Sequence, residues 1–296
     1  MGFEFKREKI ISTNNDTEGL KSLFEFINKN RGIDFYLYRQ ATVKRKLKLR
    51  LEETGKANSQ EYLSYLKLHP SEVDNLINTL TINVSNFFRN PLVYELLFSE
   101  VLPDLISGFR FLKVWSVGCA NGEEPYSIAM MISELLKREQ DYFDVSIFGC
   151  DIDSEAVERA LKGEYREGEL AEVKKKYMDA FFRRVSESDE SLSMHEDVYS
   201  ISNEIKSMVR FESSDLIAGL KTGRGKIGAY NLILCRNVLI YMKRSLQAEV
   251  FKDISDKLYE NGYLVIGATE TLPESLRNNF EQIFPGVKIF KKKAGG

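Results

Sequence analysis

Two glycines four positions apart, Gly118 and Gly122, follow the apolar run FLKVWSV and precede two consecutive glutamates, Glu123 and Glu124, in VWSVGCANGEEPYS. A strand, a glycine turn and a helix in that order bring backbone close to a ligand at the carboxyl end of a parallel strand. A dinucleotide fingerprint would read G-x-G-x-x-G and a phosphate loop would end in G-K-S/T; this turn shows neither, and carboxylates there repel a pyrophosphate. Acids in a first helical turn complement the helix dipole, and Pro125 suits that turn, which is role enough for Glu123. A carboxylate at the glycine turn also suits a cation, such as the ammonium of an amino-acid-like ligand. A further acid, Asp151, ends the run SIFGCD, where a carboxylate hydrogen-bonds ribose hydroxyls in nucleotide-binding sheets. A turn without phosphate chemistry, an acid for a cation and an acid for a ribose together suggest a nucleoside joined to an amino acid, S-adenosylmethionine. Asp153 reads as the N-cap of the next helix.

From about residue 91 the chain alternates helix and strand: PLVYELLFSEVLPDLI, FLKVWSV, EEPYSIAMMISELLKRE, DVSIFGC, SEAVERALKG, then GAYNLILC, a helix through SLQAEVFKDISDKLYE, GYLVIGA and a last strand near VKIFKK. This predicts an α/β domain over 91–296 with a mostly parallel, Rossmann-like sheet. Between its halves, residues 181–213 hold FFRRV, SLSMHEDVYSI and VRFES, read as a small antiparallel β insert. Residues 1–90 form an all-α N-terminal domain of short amphipathic helices, with Ser59 and Ser71 as N-caps and Ser71 with Asp74 approximating a capping box.

The 296-residue chain is 43% hydrophobic, enough for a sizeable core, and no stretch approaches the roughly 20 apolar residues of a spanning helix. The N-terminus MGFEFKREKI lacks an apolar signal core, so a cytoplasmic protein without membrane insertion is expected, as a monomer. Cys119, Cys150 and Cys235 lie too far apart for a disulfide framework, and no matching histidine makes them a metal site; buried reduced thiols are expected. The two histidines, His69 and His195, read as surface or structural residues. A net charge of −2 conceals a basic helix over 38–50 carrying Arg39, Lys44, Arg45, Lys46, Lys48 and Arg50, whose Lys46 and Arg50 share a face with Arg39 two turns away, beside the apolar line Val43, Leu47, Leu51. A short basic run in a chain of pI ≈ 6.0 argues for an acidic protein partner rather than nucleic acid.

Four ordered motifs carry a resemblance: N-x-S-x-F-F-R at 83–89, G-C-x-x-G-E-E-P-Y-S at 118–127, D-I-D at 151–153 and C-R-N-V-L-I-Y at 235–241. Together they resemble the chemotaxis receptor methyltransferases, the CheR family, over nearly the whole chain. The resemblance implies a class I methyltransferase fold and transfer of methyl from S-adenosylmethionine to receptor glutamates, leaving S-adenosylhomocysteine. It implies cofactor contacts at Asn83, Ser85 and Arg89 in a covering segment, at Gly118, Glu124 and Asp151, at Asp215 and Leu216 near the adenine, and at Arg236 and Asn237 centrally. The family usually has Thr at Ser85, often Asn at Asp215, and commonly Gly-His-Ser-Glu where Gly267-Ala268-Thr269-Glu270 stands; the hydroxyl and an acceptor are retained.

A glutamate carboxylate is ionised near neutral pH, so methyl transfer needs no general base and the protein's task is positioning. Arg89 is expected to hold the substrate carboxylate and Tyr241 to donate a hydrogen bond near the reacting groups. The implied partner is the glutamate-rich helical bundle of a chemoreceptor, docked by Arg39, Lys46 and Arg50. Some relatives grip a receptor tether through a glycine-containing loop of the β insert; VSESDESLSMHEDVYS here is acidic and glycine-free, which argues against that use. A methyltransferase-like module that binds cofactor without turnover is the alternative, and it would need neither Arg89 nor Tyr241.

Overall fold

Apolar side chains at three- and four-residue spacing build a helical unit from α1 (Asn14–Arg31), α2 (Gln40–Thr54), α3 (Ser59–Leu68) and α4 (Ser71–Leu80). The chain, described by a computed structural model over residues 14–80, 85–137, 143–185, 197–216 and 229–295, divides into two compact units between Leu80 and Thr81. Leu23, Phe24 and Ile27 of α1, Val43 and Leu47 of α2, Tyr62 and Leu66 of α3, and Leu76 and Ile77 of α4 are buried. Asn58, rather than Ser59, caps α3, its side chain accepting the Glu61 N–H at 2.9 Å. Ser71 is the first residue of α4 rather than the one before it, and both oxygens of Asp74 pair with Arg31 at 2.8 and 2.9 Å.

The basic helix does not present its whole charged face to solvent. Arg50 donates from Nε and a terminal nitrogen to the two oxygens of Glu72, each at 2.6 Å, and to Glu53 at 2.6 Å. Tyr62 adds a hydroxyl donor to Glu72 at 2.7 Å and Asn75 an amide at 3.0 Å. Lys46 donates to the Thr79 carbonyl at 2.6 Å, closing the end of α4, and burial lowers its pKa. Lys46 and Arg50, expected at a docking surface, therefore serve the fold first. Helical periodicity places them on one face, but that face packs toward α4. Arg39, Lys44, Arg45 and Lys48 are the exposed cations of this segment.

In the second unit α5 (Pro91–Leu96) runs through a π-helical turn into α6 (Leu102–Gly108). Then come β1 (Phe111–Val117), α7 (Glu123–Leu136), β2 (Asp144–Asp151) and α8 (Ser154–Lys162). An insert follows, comprising β3 (Glu164–Arg166), α9 (Lys175–Phe181), β4 (Phe182–Arg184) and β5 (Val198–Ile201). The chain returns by α10 (Asn203–Ser207) to β6 (Val209–Ser213), β7 (Tyr230–Cys235), α11 (Arg244–Lys257), β8 (Leu258–Ile266), β9 (Phe280–Gln282) and β10 (Ile289–Lys292).

The main sheet has the order β6-β2-β1-β7-β8-β10-β9, with β6 through β8 parallel and the last two strands antiparallel. β1 is hydrogen-bonded to β2 on one side and β7 on the other, so the strand order reverses there, and ligands bind beyond the carboxyl ends of such strands. The three-stranded insert has the order β3-β5-β4, all antiparallel. VRFES, expected within the insert, is instead β6, the parallel edge of the main sheet beside β2, and Glu164–Arg166 supplies the insert's third strand. A five-residue alternating run does not encode its neighbour; Gly149 does, because a Cβ there would lie 2.8 Å from the Phe211 ring. Among the described residues no helix is long and apolar enough to cross a membrane.

Burial would raise the Glu72 pKa, but the hydrogen bonds from Arg50, Asn75 and Tyr62 outweigh it and bring it down to about 2. A depressed carboxylate stabilises the fold above its ordinary pKa and loses that contribution as pH falls through its folded value. The full chain is therefore expected to lose about 3 kcal/mol from this group between roughly pH 5 and 2. Denaturant melts across that range should show the loss in the wild type and not in Glu72→Gln, which starts destabilised by about 3–5 kcal/mol.

Candidate active site

At the end of β1 the backbone turns at Gly118 with φ +67°, and the Gly118 and Cys119 N–H groups donate to the Cys150 carbonyl at 2.8 and 3.0 Å. A Cβ on Gly118 would lie 2.4 Å from a Val238 methyl, so the loops after β1 and β7 close on each other only with glycine here. Asp151, buried at the end of β2, accepts the Ala120 N–H at 2.8 Å and the Asp153 N–H at 3.0 Å. Burial pushes its pKa up, and these backbone donors oppose the rise. Asp153 caps α8 as expected, accepting from the Glu155 and Ala156 N–H groups at 2.9 and 3.1 Å. Because β6 belongs to the main sheet, its carboxyl end joins this edge: the Ser214 N–H donates to the Asp151 carbonyl at 2.8 Å, and Asp215 and Leu216 follow directly.

Glu124 accepts from the Ser116 hydroxyl at 2.8 Å and from Arg236 at 3.0 Å. Arg236, only 8% exposed, also donates to the Arg89 carbonyl at 2.7 Å, the Asn90 side chain at 2.9 Å and the Tyr94 hydroxyl at 3.3 Å. One guanidinium thus joins β7, α7, α5 and residues 89–90. The carboxylate expected to face a cation carries its own counter-ion, and the pair offers both signs of charge, as a zwitterionic amino acid requires.

Residues 85–90 are anchored by aromatics. Phe87 meets Tyr165 edge-on at 4.8 Å, and Phe88 stacks on Tyr177 at 5.2 Å. Phe88 and Asn90 hold φ of +51° and +66°, a conformation that costs non-glycine residues about 1–3 kcal/mol each and persists only when the surroundings enforce it. Arg89 reaches the neighbourhood of Tyr241 in the turn Leu239–Tyr241: burial raises the Tyr241 pKa, and the Arg89 charge opposes that rise. Asn83 lies outside the described residues, as do His195 and most of the acidic insert loop. Arg39, Lys46 and Arg50 belong to the helical unit.

Glu270 is given no role by the sequence beyond its place in the Gly267–Glu270 stretch. Its two oxygens accept four backbone N–H groups, from Gly267 at 2.6 Å, Asn237 at 3.0 Å, Val238 at 3.1 Å and Leu239 at 2.8 Å. It thereby fixes Asn237 at φ +61° beside Arg236. A Cβ on Gly267 would sit 2.7 Å from a Glu270 oxygen and 2.8 Å from the Asn237 nitrogen. A glycine followed three residues later by glutamate, just after a strand, is the signal that would have found it. Cys119, Cys150 and Cys235 are buried and free, with thiol pKa values pushed up by burial. His69 ends α3 and stacks on Tyr65.

A glycine turn open to backbone approach, a carboxylate at the second strand end, and a paired carboxylate and guanidinium fit S-adenosylmethionine. The fold and site define a class I S-adenosylmethionine-dependent methyltransferase. Comparison with known proteins makes the assignment more specific: residues 83–288 match the CheR methyltransferase SAM-binding domain and residues 18–81 the CheR methyltransferase all-alpha domain. The chain belongs to the CheR methyltransferase family. Relatives include the chemotaxis protein methyltransferases of Escherichia coli K12, 31% identical over 84% of this chain and 83% of that one, and of Listeria innocua, 29% identical over 83% and 87%. The Borreliella burgdorferi chemotaxis protein methyltransferase is 26% identical over 94% of this chain and 95% of its own.

Asp151→Ala removes the acid at the second strand end and frees the Ala120 and Asp153 N–H groups. Calorimetric titration with S-adenosylhomocysteine is expected to show affinity reduced by at least about tenfold, the scale of one charged hydrogen bond lost. An unchanged titration would show that Asp151 does not hold the ribose.

Proposed function

We propose that the protein methylates glutamate side chains of chemoreceptors in the cytoplasm, producing glutamate methyl esters and S-adenosylhomocysteine for chemotaxis adaptation. The observation that carries this reading is the meeting of Asp151, the Glu124–Arg236 pair and the Arg89–Tyr241 neighbourhood at one edge of the sheet.

Bound there, S-adenosylmethionine would supply an electrophilic methyl to a substrate carboxylate oxygen, the carbon–sulfur electron pair staying with sulfur. Asp151 binds the ribose hydroxyls, while Glu124 and Arg236 hold the ammonium and carboxylate of the methionine end. Asp215 and Leu216 border the adenine, Asn237 and Gly118 bound the centre, and Ser85 and Arg89 cover it. The substrate glutamate, with an ordinary pKa of about 4.3, arrives ionised, so no residue need remove a proton. Arg89 orients that carboxylate with its planar donors, and Tyr241 donates a hydrogen bond beside it. The chain's contribution is alignment within a site that keeps water from the anion.

Incubation with methyl-labelled S-adenosylmethionine and receptor-containing membranes, followed by alkali, is expected to release labelled methanol. Base-stable label, or none, would overturn the ester assignment. Arg89→Ala should lower kcat/KM by about 100-fold or more, since it removes both an orienting contact and a charge.

Docking to the acidic helical bundle of the receptor is assigned to the exposed cations of α2: Arg39, Lys44, Arg45 and Lys48. Lys44→Glu/Arg45→Glu/Lys48→Glu should raise KM for receptor membranes while leaving S-adenosylhomocysteine affinity unchanged, and the wild-type reaction should weaken with added salt. Equal KM for the triple variant and the wild type would remove α2 from the docking surface.

A further inference from the structure

Glu123 is buried at 2% exposure in the first turn of α7, and the assigned contacts of the site do not use it. The Ser85 hydroxyl hydrogen-bonds its carboxyl, and the Asn121 amide reaches one oxygen at 3.4 Å. The other oxygen, Oε2, is buried without a hydrogen-bond partner. One turn on, Ser127 is fully buried; its hydroxyl donates to the Glu123 carbonyl at 2.6 Å and accepts the Phe88 N–H at 3.1 Å. Residues i and i+4 lie on the same helix face, so Glu123 and Ser127 make a track along α7 that meets residues 85 and 88 in register. From the other side Arg236 holds the Arg89 carbonyl and the Asn90 side chain.

We propose that Glu123 and Ser127 are positioning residues that fasten residues 85–90 to α7 and so fix the direction in which Arg89 leaves the backbone. The fastening is made by the hydrogen bonds to Ser85 and Phe88, while Oε2 is left unpaired beneath the segment at a cost. The helix N-terminus offsets part of the cost of leaving it there. Two residues of the segment hold left-handed backbone, Phe88 and Asn90, so releasing the fastening lets the backbone relax and the arginine between them swing. Burial raises the Glu123 pKa, and glutamine is the substitution that keeps the shape of the carboxyl and one acceptor oxygen.

The inference rests on the reading of Ser85 and Arg89 as cofactor contacts, and the test separates the two. In cofactor-free protein, hydrogen exchange at the Phe88 and Arg89 amides should quicken by about tenfold in Ser127→Ala and Glu123→Ala, the effect of one lost hydrogen bond. Glu123→Gln should restore slow exchange, and Ser85→Ala should add nothing to Glu123→Ala, because the two side chains act as one unit. Exchange in the alanine variants as slow as in the wild type, or additive effects of Ser85→Ala and Glu123→Ala, would overturn the proposal. S-adenosylhomocysteine affinity, read by calorimetry on the same variants and on Arg89→Ala, tests the other reading. Rapid exchange in the Glu123→Ala protein together with undiminished affinity in Arg89→Ala would uphold the fastening and remove residues 85–89 from the cofactor contacts. A thermal midpoint for Ser127→Ala close to the wild type confirms that exchange reports on the segment and not on global unfolding.

Discussion

The buried ion pair between Arg236 and Glu124 is the constraint around which the catalytic unit is arranged. Taking a guanidinium out of water is expensive, and the attraction of one carboxylate rarely repays it. Here the repayment is shared: a carboxylate, a carbonyl, an amide oxygen and a phenol each take a hydrogen from the same group. Removing any one partner leaves donors of a buried charge unmet, so these four attachments stand or fall together. That interdependence brings the end of β7, the start of α7 and residues 89–94 to one place, where Coulomb attraction alone would not select a geometry.

Two further carboxylates do for the loops what Arg236 does for the elements. Asp151 collects N–H groups from the turns after β1 and β2, and Glu270 collects four from the turns after β7 and β8. Backbone donors beyond strand ends have no ladder partner, and burying them unpaired is costly. Acids at the carboxyl edge of the sheet therefore carry a structural load whether or not a ligand is bound. The left-handed residues Ala120 and Asn237 sit within these turns, their strain held by the hydrogen bonds that the acids supply.

Local chemistry made the glycine turn and Asp151 legible in the sequence, because a strand, a glycine with no room for a side chain and an acid at the next strand end are adjacent in the chain or one crossover apart. Asp153 as a cap was legible for the same reason. Glu270 was not, since its four donors come from its own tetrapeptide and from residues more than thirty positions earlier. The Arg50–Glu72 pair was not legible, because periodicity tells which residues share a helix face and says nothing of what that face meets; Glu72 lies on another helix. β6 was misassigned because its five residues alternate as readily in an antiparallel insert as at a parallel edge. In each case the missing information was a partner distant in sequence, while the elements themselves followed from spacing.

The chain enters the insert from α8 through Gly163 and leaves it through α10, five residues between β5 and β6. The Gly163 carbonyl is bonded to Ile201 at one end of that path, and the Met208 carbonyl to Ile147 of β2 at the other. β6 in turn ends at Ser213, two residues before Asp215. The insert is thus not an appendage on a slack tether. Its exit helix leads into the strand whose tip lies beside Asp151, so the small sheet and that edge of the main sheet share one hydrogen-bonded path.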